Sequence, residues 1–262
     1  MLSQSKVARL TAKSVFKGKG IKMLAMGGIL TFCVLSLYCF FFLTYSFFPT
    51  PVIVAFISAI FVVLLAPLTL GVLRTLYEEV STGESEISHI FYYFSGFNLY
   101  KNAIWFIAVL IFKVGVALIV CLAPAIVISF VTDASVQSLI GFSLPIWLSG
   151  LHILGSLFTV LGVIVAFFWC IRYFAAPFLF VSVEENVVMS IFYKSTRLAK
   201  MGYIEFLSLI ASFIPWFVLG VFCFFLPYVL PYFFTSAIAL CKFTVYGYNK
   251  KITLNTFDEV KK

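Results

Sequence analysis

Residues 206–241 read FLSLIASFIPWFVLGVFCFFLPYVLPYFFTSAIALC and contain no charged side chain. A transmembrane helix needs about 20 apolar residues to cross the roughly 30 Å hydrocarbon layer, so this stretch is too long for one ordinary crossing. Pro227 and Pro231 interrupt it, and proline removes a backbone donor and bends a helix. We therefore predict a hairpin of two membrane helices, over residues 206–224 and 227–246.

The whole chain has the composition of a membrane protein. Of its 262 residues 63% are hydrophobic, 19% are aromatic and only 11% are charged, and the mean hydropathy is +1.13. Soluble domains carry about 25% charged residues because their surface faces water. This composition excludes a soluble globular enzyme, a disordered chain and a secreted disulfide scaffold, and it requires much of the apolar surface to contact lipid.

Four further apolar stretches precede the hairpin, at residues 23–48, 52–73, 102–131 and 142–171. Each is long enough to cross the hydrocarbon layer as a helix, so we predict an all-α polytopic membrane protein with six transmembrane helices. The first stretch is too long for a signal peptide and lacks a small-residue cleavage site, which indicates an uncleaved signal anchor. The predicted organisation is a basic cytoplasmic amphipathic segment at 1–22, a six-helix membrane domain at 23–248 and a cytoplasmic tail at 249–262.

The basic residues lie on one side of the predicted spans. Of the 18 lysines and arginines, all except Lys113 fall in the N-terminal segment, at the C-terminal end, or in the connections after the second and fourth spans. Because lysine and arginine near span ends are retained in the cytoplasm, we predict a multi-pass protein of the cytoplasmic (inner or plasma) membrane with both termini in the cytoplasm. The net charge of +8 then indicates orientation and contact with anionic phospholipid, not nucleic-acid binding. The candidates for lipid contact are Lys13, Lys17, Lys19 and Lys22.

Two cytoplasmic connections keep an amphipathic pattern. Aromatic residues recur at helical spacing in Ser81–Lys101, and apolar residues lie opposite charged ones in Val183–Glu205. Both stretches predict helices that lie in the membrane interface with their apolar face toward acyl chains. Glu84–Tyr92 (ESEISHIFY) also aligns without gaps on Glu185–Tyr193 (ENVVMSIFY). This similarity indicates either three repeated units of an amphipathic segment plus a hairpin, or a chance likeness between aromatic-rich interfacial helices.

Two polar residues well inside predicted spans are candidates for substrate binding. Lys113 lies near the middle of the third span, where a charged group costs roughly a few kcal/mol unless it is paired. It indicates a substrate or proton site in a cavity, or else a lysine that reaches the headgroups or binds a carbonyl at a helix break. His152 in the fourth span indicates a ligand-binding or titrating group, or else a hydrogen bond between helices.

The sequence contains no pattern typical of a catalytic or metal site. The six cysteines lie in or at apolar spans and form no CxxC pair, so we interpret them as small buried hydrophobic residues. P-loop, GxSxG and HExxH motifs are absent. We therefore predict a non-enzymatic protein without a metal or cofactor.

A set of packing and turn residues carries a family resemblance. The set comprises Pro67–Gly71 (PLTLG), Ile90–Ser95 (IFYYFS), Tyr173, Pro177, Ser195, Gly202, Phe206, Ser212, Pro215, Trp216, Pro231 and Tyr232. Through these residues, the chain over 60–245 resembles an uncharacterised family of six-span bacterial integral membrane proteins, similar to the membrane domain attached to some glycerophosphodiester phosphodiesterases. The resemblance implies that helix breaks and packing are set by Pro67, Gly71, Pro177, Pro215, Trp216, Pro231 and Tyr232.

The resemblance does not imply hydrolase activity for this chain. Phosphodiester hydrolysis requires paired histidines and several carboxylates around a divalent metal. The two histidines, His89 and His152, fall on opposite sides of the predicted fold, and none of the ten acidic residues lies well inside a span. The segment Thr132–Gly141 also departs from the family, whose typical members have a short turn there.

These patterns favour two functions. The first is a transport protein, or a transport accessory, for a lipid-like or small amphipathic molecule, as Lys113, His152 and the prolines in most spans indicate. The alternative is a structural or assembly protein whose cytoplasmic amphipathic helices organise anionic phospholipid or dock a membrane or cytoplasmic protein partner.

Overall fold

The computed structural model describes residues 4–47, 51–132, 151–182, 188–220 and 225–260, and within these ranges every regular element is a helix. The α-helices are α1 (Gln4–Val15), α2 (Gly20–Phe47), α3 (Pro51–Thr82), α4 (Phe97–Thr132), α5 (Leu151–Cys170), α6 (Ala176–Ser182), α7 (Val188–Gly220) and α8 (Leu226–Val260). Two 3₁₀ helices, η1 (Ile87–Phe94) and η2 (Ile171–Tyr173), lie between them. The predicted all-helical class is confirmed for this part of the chain.

Five segments are long and apolar enough to cross a membrane. They are Gly20–Phe40, Phe97–Ile128, Ile153–Ser182, Val188–Gly220 and Leu226–Val245. Their lengths suffice for the hydrocarbon layer, as expected of a multi-pass membrane protein. The predicted crossing at 52–73 lies within α3, where many side chains are outside the described residues, so the sixth crossing stays a prediction. Residues 133–150, which include the start of the predicted fourth crossing, also lie outside them.

The predicted interfacial stretch 183–205 and the predicted crossing 206–224 belong to one helical run, α7. Only Gly202 departs from helical geometry within it, at φ −114° and ψ 17°. A Cβ on Gly202 would lie 3.3 Å from Cγ2 of Thr244, so the bend occurs where α8 approaches closely. Residues 183–187 and 221–224 lie outside the described part of the chain.

Helices α7 and α8 pack antiparallel, in agreement with the predicted hairpin. Gly202 lies beside Thr244 near one end, and the Phe213 ring is 5.2 Å from that of Phe233 further along. The predicted proline breaks are not seen as helix ends, because Pro67, Pro215 and Pro231 lie inside α3, α7 and α8. A helix continues through proline when its remaining backbone hydrogen bonds and its packing hold it together.

The described chain forms two compact units, and the larger one combines Met1–Ile107 with Tyr173–Lys262. Its core is aromatic: the Phe106 ring stacks on Phe180 at 4.4 Å and on Phe192 at 5.4 Å. Helix α2 packs against α3 and α8 in this unit, and α1 packs against α7 and α8. Large aromatic rings contribute much of the burial available to a chain of this composition.

Helix α1 joins this unit through a face of small residues. Ser5, Ala8 and Ala12 are buried, and their size allows close approach of the helix backbones. Glu205 Oε2 of α7 accepts a hydrogen bond from the Ser5 backbone N–H at 2.9 Å, and the Tyr232 hydroxyl of α8 donates to the Arg9 carbonyl at 3.2 Å. The predicted segment 1–22 therefore packs against other helices along α1.

The smaller unit, Ala108–Arg172, consists of most of α4 with α5. Its two helices approach closely where a Cβ on Gly162 would lie 2.6 Å from the Cys121 carbonyl oxygen. Most other side chains of the pair are apolar and exposed; Phe112, for example, is 71% exposed. Such surface is typical of helices whose surroundings are apolar rather than aqueous.

Candidate functional site

Two adjacent carboxylates near the end of α3 organise a charged cluster in the larger unit. We call it the Glu78–Glu79 cluster, and it comprises Lys19, Lys22, Arg74, Glu78, Glu79, Ser85 and His89. Glu79 is only 1% exposed. A buried carboxylate must be paired and hydrogen-bonded, because its desolvation is otherwise very unfavourable.

Glu79 meets this requirement with three donors. Oε1 pairs with Lys19 Nζ, while Oε2 accepts from Lys22 Nζ at 2.6 Å and from Ser85 Oγ at 2.6 Å. The lysines come from the start of α2 and the residue before it, and Ser85 lies in the loop after α3. The carboxylate therefore ties three separate parts of the chain together.

The same two lysines also bind the carbonyl groups that follow α3. Lys19 Nζ donates to the Gly83 carbonyl and Lys22 Nζ to the Ser85 carbonyl. Gly83 has φ +77°, the left-handed conformation that glycine commonly adopts just after a helix. Cations at this end of α3 also interact favourably with the negative end of its dipole.

The charge of Glu79 is maintained by these contacts. Burial acts to raise the pKa of the carboxyl, but hydrogen bonds from Lys19, Lys22 and Ser85 outweigh it, and the net effect lowers the pKa below its usual value. Glu79 is therefore ionised at neutral pH and accepts hydrogen bonds from both lysines.

The lowered pKa predicts a pH-dependent stability. Because the folded-state pKa of Glu79 lies below its unfolded-state value, its contribution is fully present above the unfolded value and is lost as the pH falls through the folded value. The thermal stability of the purified protein in detergent is expected to exceed that of Glu79→Gln at pH 7, with the difference shrinking at acidic pH. If the wild type and Glu79→Gln differ by the same amount in thermal stability at every pH at which both still fold, Glu79 does not have a lowered pKa.

The other half of the cluster surrounds Glu78. Its Oε1 accepts from Arg74 Nε at 3.1 Å, and its Oε2 pairs with His89 Nδ1. The Arg74 guanidinium lies 3.5 Å from the centre of the Tyr92 ring, an arrangement favourable for a cation–π interaction. Burial raises the pKa of the neighbouring Tyr93 to about 12, so its phenol stays protonated at neutral pH.

Helix η1 is held against α3 by a glycine. A methyl group at Gly71 would overlap the carbonyl of Ile90, so only glycine permits this approach without a shift of the backbone. Ile90 and Tyr93 are buried, whereas Phe91 and Phe94 are exposed. Ile90 and Tyr93 thus pack against protein, and contact of the exposed aromatic residues with acyl chains stays a prediction.

Two of the motifs behind the family resemblance are thus in direct contact, PLTLG through Gly71 and IFYYFS through Ile90. The second motif reaches the aromatic core, where Tyr93 stacks on Phe180 at 5.7 Å. Of the predicted packing residues, Pro67, Gly71 and Pro231 are buried, Pro177 and Tyr232 are half-buried, and Pro215 and Trp216 are exposed.

The predicted lipid-contact lysines separate into two pairs. Lys13 and Lys17 are exposed, at the end of α1 and just after it. Lys19 and Lys22 instead bind Glu79. Contact of any of the four with lipid stays a prediction.

The predicted substrate-binding residues both fall in the smaller unit. Lys113 lies on α4 and is partly exposed. His152 lies in the first turn of α5, and its side chain is outside the described residues. Among the residues that the structure describes, no group of three or more histidine, cysteine or acidic side chains is arranged to hold a metal ion.

Sequence reasoning missed Glu79. The sequence did contain a signal for this site: Glu78 and Glu79 follow the predicted span 52–73 by only a few residues. They therefore fall on the same predicted side of the membrane as the basic residues. Comparisons of the chain with protein-family models, with curated proteins and with solved structures found no match. The function therefore has to be argued from the residues themselves.

Proposed function

We propose that the chain is a non-enzymatic integral membrane protein that acts in transport, directly or as an accessory, of a lipid-like or small amphipathic molecule. In this proposal it crosses the cytoplasmic membrane six times, with both termini in the cytoplasm. The family resemblance supports the same architecture. The observation that carries the function is the position of Lys113 in α4.

Lys113 shares a helix face with buried residues. Val109 and Ala117, four residues before and after it, are both buried, and residues four apart lie above one another on a helix. Phe112, which lies about 100° around the helix from Lys113, is strongly exposed. The lysine thus has buried residues one turn before and one turn after it within an apolar candidate span.

A lysine in this setting has a specific chemical capacity. A charged side chain within a membrane span is costly and marks a substrate or ion pathway when it faces the protein interior. Its ammonium group is suited to bind the carboxylate or phosphate of an amphiphile, while the apolar surface of α4 and α5 suits an acyl chain. An anionic amphiphile is therefore the substrate class that we propose.

Lys113→Met is expected to weaken binding of an anionic amphiphile to the purified protein by about tenfold or more, the effect of losing a hydrogen bond to a charged group. The measurement is titration with a fluorescent long-chain fatty acid in mild detergent, with the corresponding neutral alcohol as a second probe. Lys113→Arg should retain binding, and Lys101→Met is the matched control because Lys101 is exposed on the same helix.

The same variants should be compared in a deletion strain. Lys113→Met is expected to lose the uptake or efflux phenotype that the wild-type gene restores. Gel filtration and thermal melting establish that the variant folds. A folded Lys113→Met variant with unchanged fatty-acid binding and an unchanged phenotype would overturn the proposal.

A structural or assembly role is the second candidate function. It is favoured by exposed basic side chains beside large exposed apolar ones on α7, a combination suited to an anionic membrane surface. In this role the protein organises anionic phospholipid or docks a protein partner at the membrane.

A further inference from the structure

The first half of α7 presents a face that is both basic and apolar. We call this the α7 outer face, and its residues are Tyr193, Lys194, Arg197, Lys200, Met201 and Ile204. The apolar members protrude strongly, since Tyr193 is 70% and Ile204 is 80% exposed. The three basic residues are also exposed and recur every third position, so they share one side of the helix.

Packing fixes the direction in which this face points. The opposite side of the same turns is formed by buried residues, among them Phe192, Ser195 and Ala199. Phe192 stacks on Phe106 within the aromatic core. Because rotation of α7 would break these contacts, the outer face stays directed away from the unit.

The α7 outer face also lacks negative charge of its own. No acidic residue occurs from Val188 to Ile204. Glu205, which follows, accepts the Ser5 backbone N–H of α1. The sequence of these turns is therefore basic and contains no acidic side chain.

We propose that the α7 outer face binds the headgroups of anionic phospholipids in the membrane that α7 enters. Lysine and arginine bind phosphate oxygens through charge-assisted hydrogen bonds, and tyrosine is favoured at the level of the headgroups. Met201 and Ile204 lie toward the apolar end of the helix, which continues as a candidate membrane span to Gly220. The basic residues thus lie at the level of the headgroups, and the apolar residues lie nearer the hydrocarbon layer.

This proposal rests on the second candidate function, the structural or assembly role, and names the residues that would bind the phospholipid. It moves the principal lipid contact from the N-terminal lysines to α7, because Lys19 and Lys22 are bound to Glu79. It is independent of Lys113, so a negative result with Lys113→Met leaves it intact.

The test is the triple variant Lys194→Gln, Arg197→Gln and Lys200→Gln in the full-length protein. Native mass spectrometry measures binding of phosphatidylglycerol and of phosphatidylcholine added to detergent micelles. Binding of phosphatidylglycerol should weaken by about fivefold for each charge removed, the effect expected of one basic residue at an anionic membrane surface. Binding of phosphatidylcholine should not change.

A second triple variant removes the same charge from another place: Lys6→Gln, Lys13→Gln and Lys17→Gln, all exposed residues in or just after α1. It should cause a much smaller loss. Equal losses in both triples, a loss confined to the α1 triple, or equal binding of both lipids by the wild type would each overturn the assignment.

Inorganic phosphate at millimolar concentration should not compete, and full competition by it would also overturn a lipid site. Variants are compared only when their elution in gel filtration and their thermal melting match those of the wild type. If a triple variant does not fold, the three single Gln substitutions are measured instead.

Discussion

Glu79→Gln is expected to lower the free energy of unfolding by about 1–3 kcal/mol, the cost of leaving the hydrogen-bonding partners of a buried group unsatisfied. The substitution keeps the shape of the side chain but leaves the two lysine ammonium groups without their counter-ion. Lys22 is mostly buried at the cluster, whereas the Lys19 side chain is 39% exposed, so solvent screens its share of the loss. The measurement is reversible unfolding in mixed micelles at fixed lipid composition.

Glu86→Gln is the matched control for this substitution. Glu86 lies in the same loop region but is exposed. Exposed substitutions of this kind usually change stability by less than about 0.5 kcal/mol. If the two variants are equally stable, the Glu78–Glu79 cluster does not hold the start of α2 against α3.

Gly27→Ala is expected to destabilise the packing of α2 against α8 strongly. A Cβ at this position would overlap the Pro227 carbonyl of α8, and a backbone group cannot move aside as a side-chain tip does. Overpacking in a core typically costs about 1–3 kcal/mol, and the backbone contact places this case at the upper end or beyond. Thermal melting of the detergent-purified protein should show the loss.

Gly28→Ala provides the control from the adjacent residue of α2. No atom lies near a Cβ built at Gly28, so the added methyl group meets open space. Alanine is favoured over glycine in a helix by about 1 kcal/mol, and Gly28→Ala should therefore be neutral or slightly stabilising. A Gly27→Ala protein as stable as Gly28→Ala would show that α2 and α8 do not approach as closely as this structure has them.

The helical class and five apolar segments long enough to span a membrane could be predicted, because they depend on local properties of the sequence. Residues 206–241 signal two crossings by length and hydropathy alone, and α7 and α8 occupy that region. The bend at Gly202 was not predicted, because it depends on the approach of Thr244, far away in sequence. The two cytoplasmic connections are helical in part, as η1 and as the first half of α7. Their predicted position in the membrane interface stays a prediction, because periodicity does not reveal whether an apolar face meets lipid or protein.

The candidate site was less predictable, because it is formed by contacts between residues that are far apart in the sequence. Lys19 and Lys22 were recognised only as basic residues beside a span, and positive charge there is common in membrane proteins. Their pairing with Glu79 joins residues about sixty positions apart, which composition and spacing do not encode. Gly71 was identified from the resemblance as a packing residue, but its partner Ile90 became known only from the folded chain.

The contacts of α1 impose an order on the making of this protein. Ser5 binds Glu205, and these residues are separated by 200 positions in the chain. A ribosome that adds about 5–20 residues per second needs roughly 10–40 s to cover that distance. During this interval α1 lacks its contacts with α7 and α8, so it reaches its final place only after residues about 200 positions further along have been synthesised.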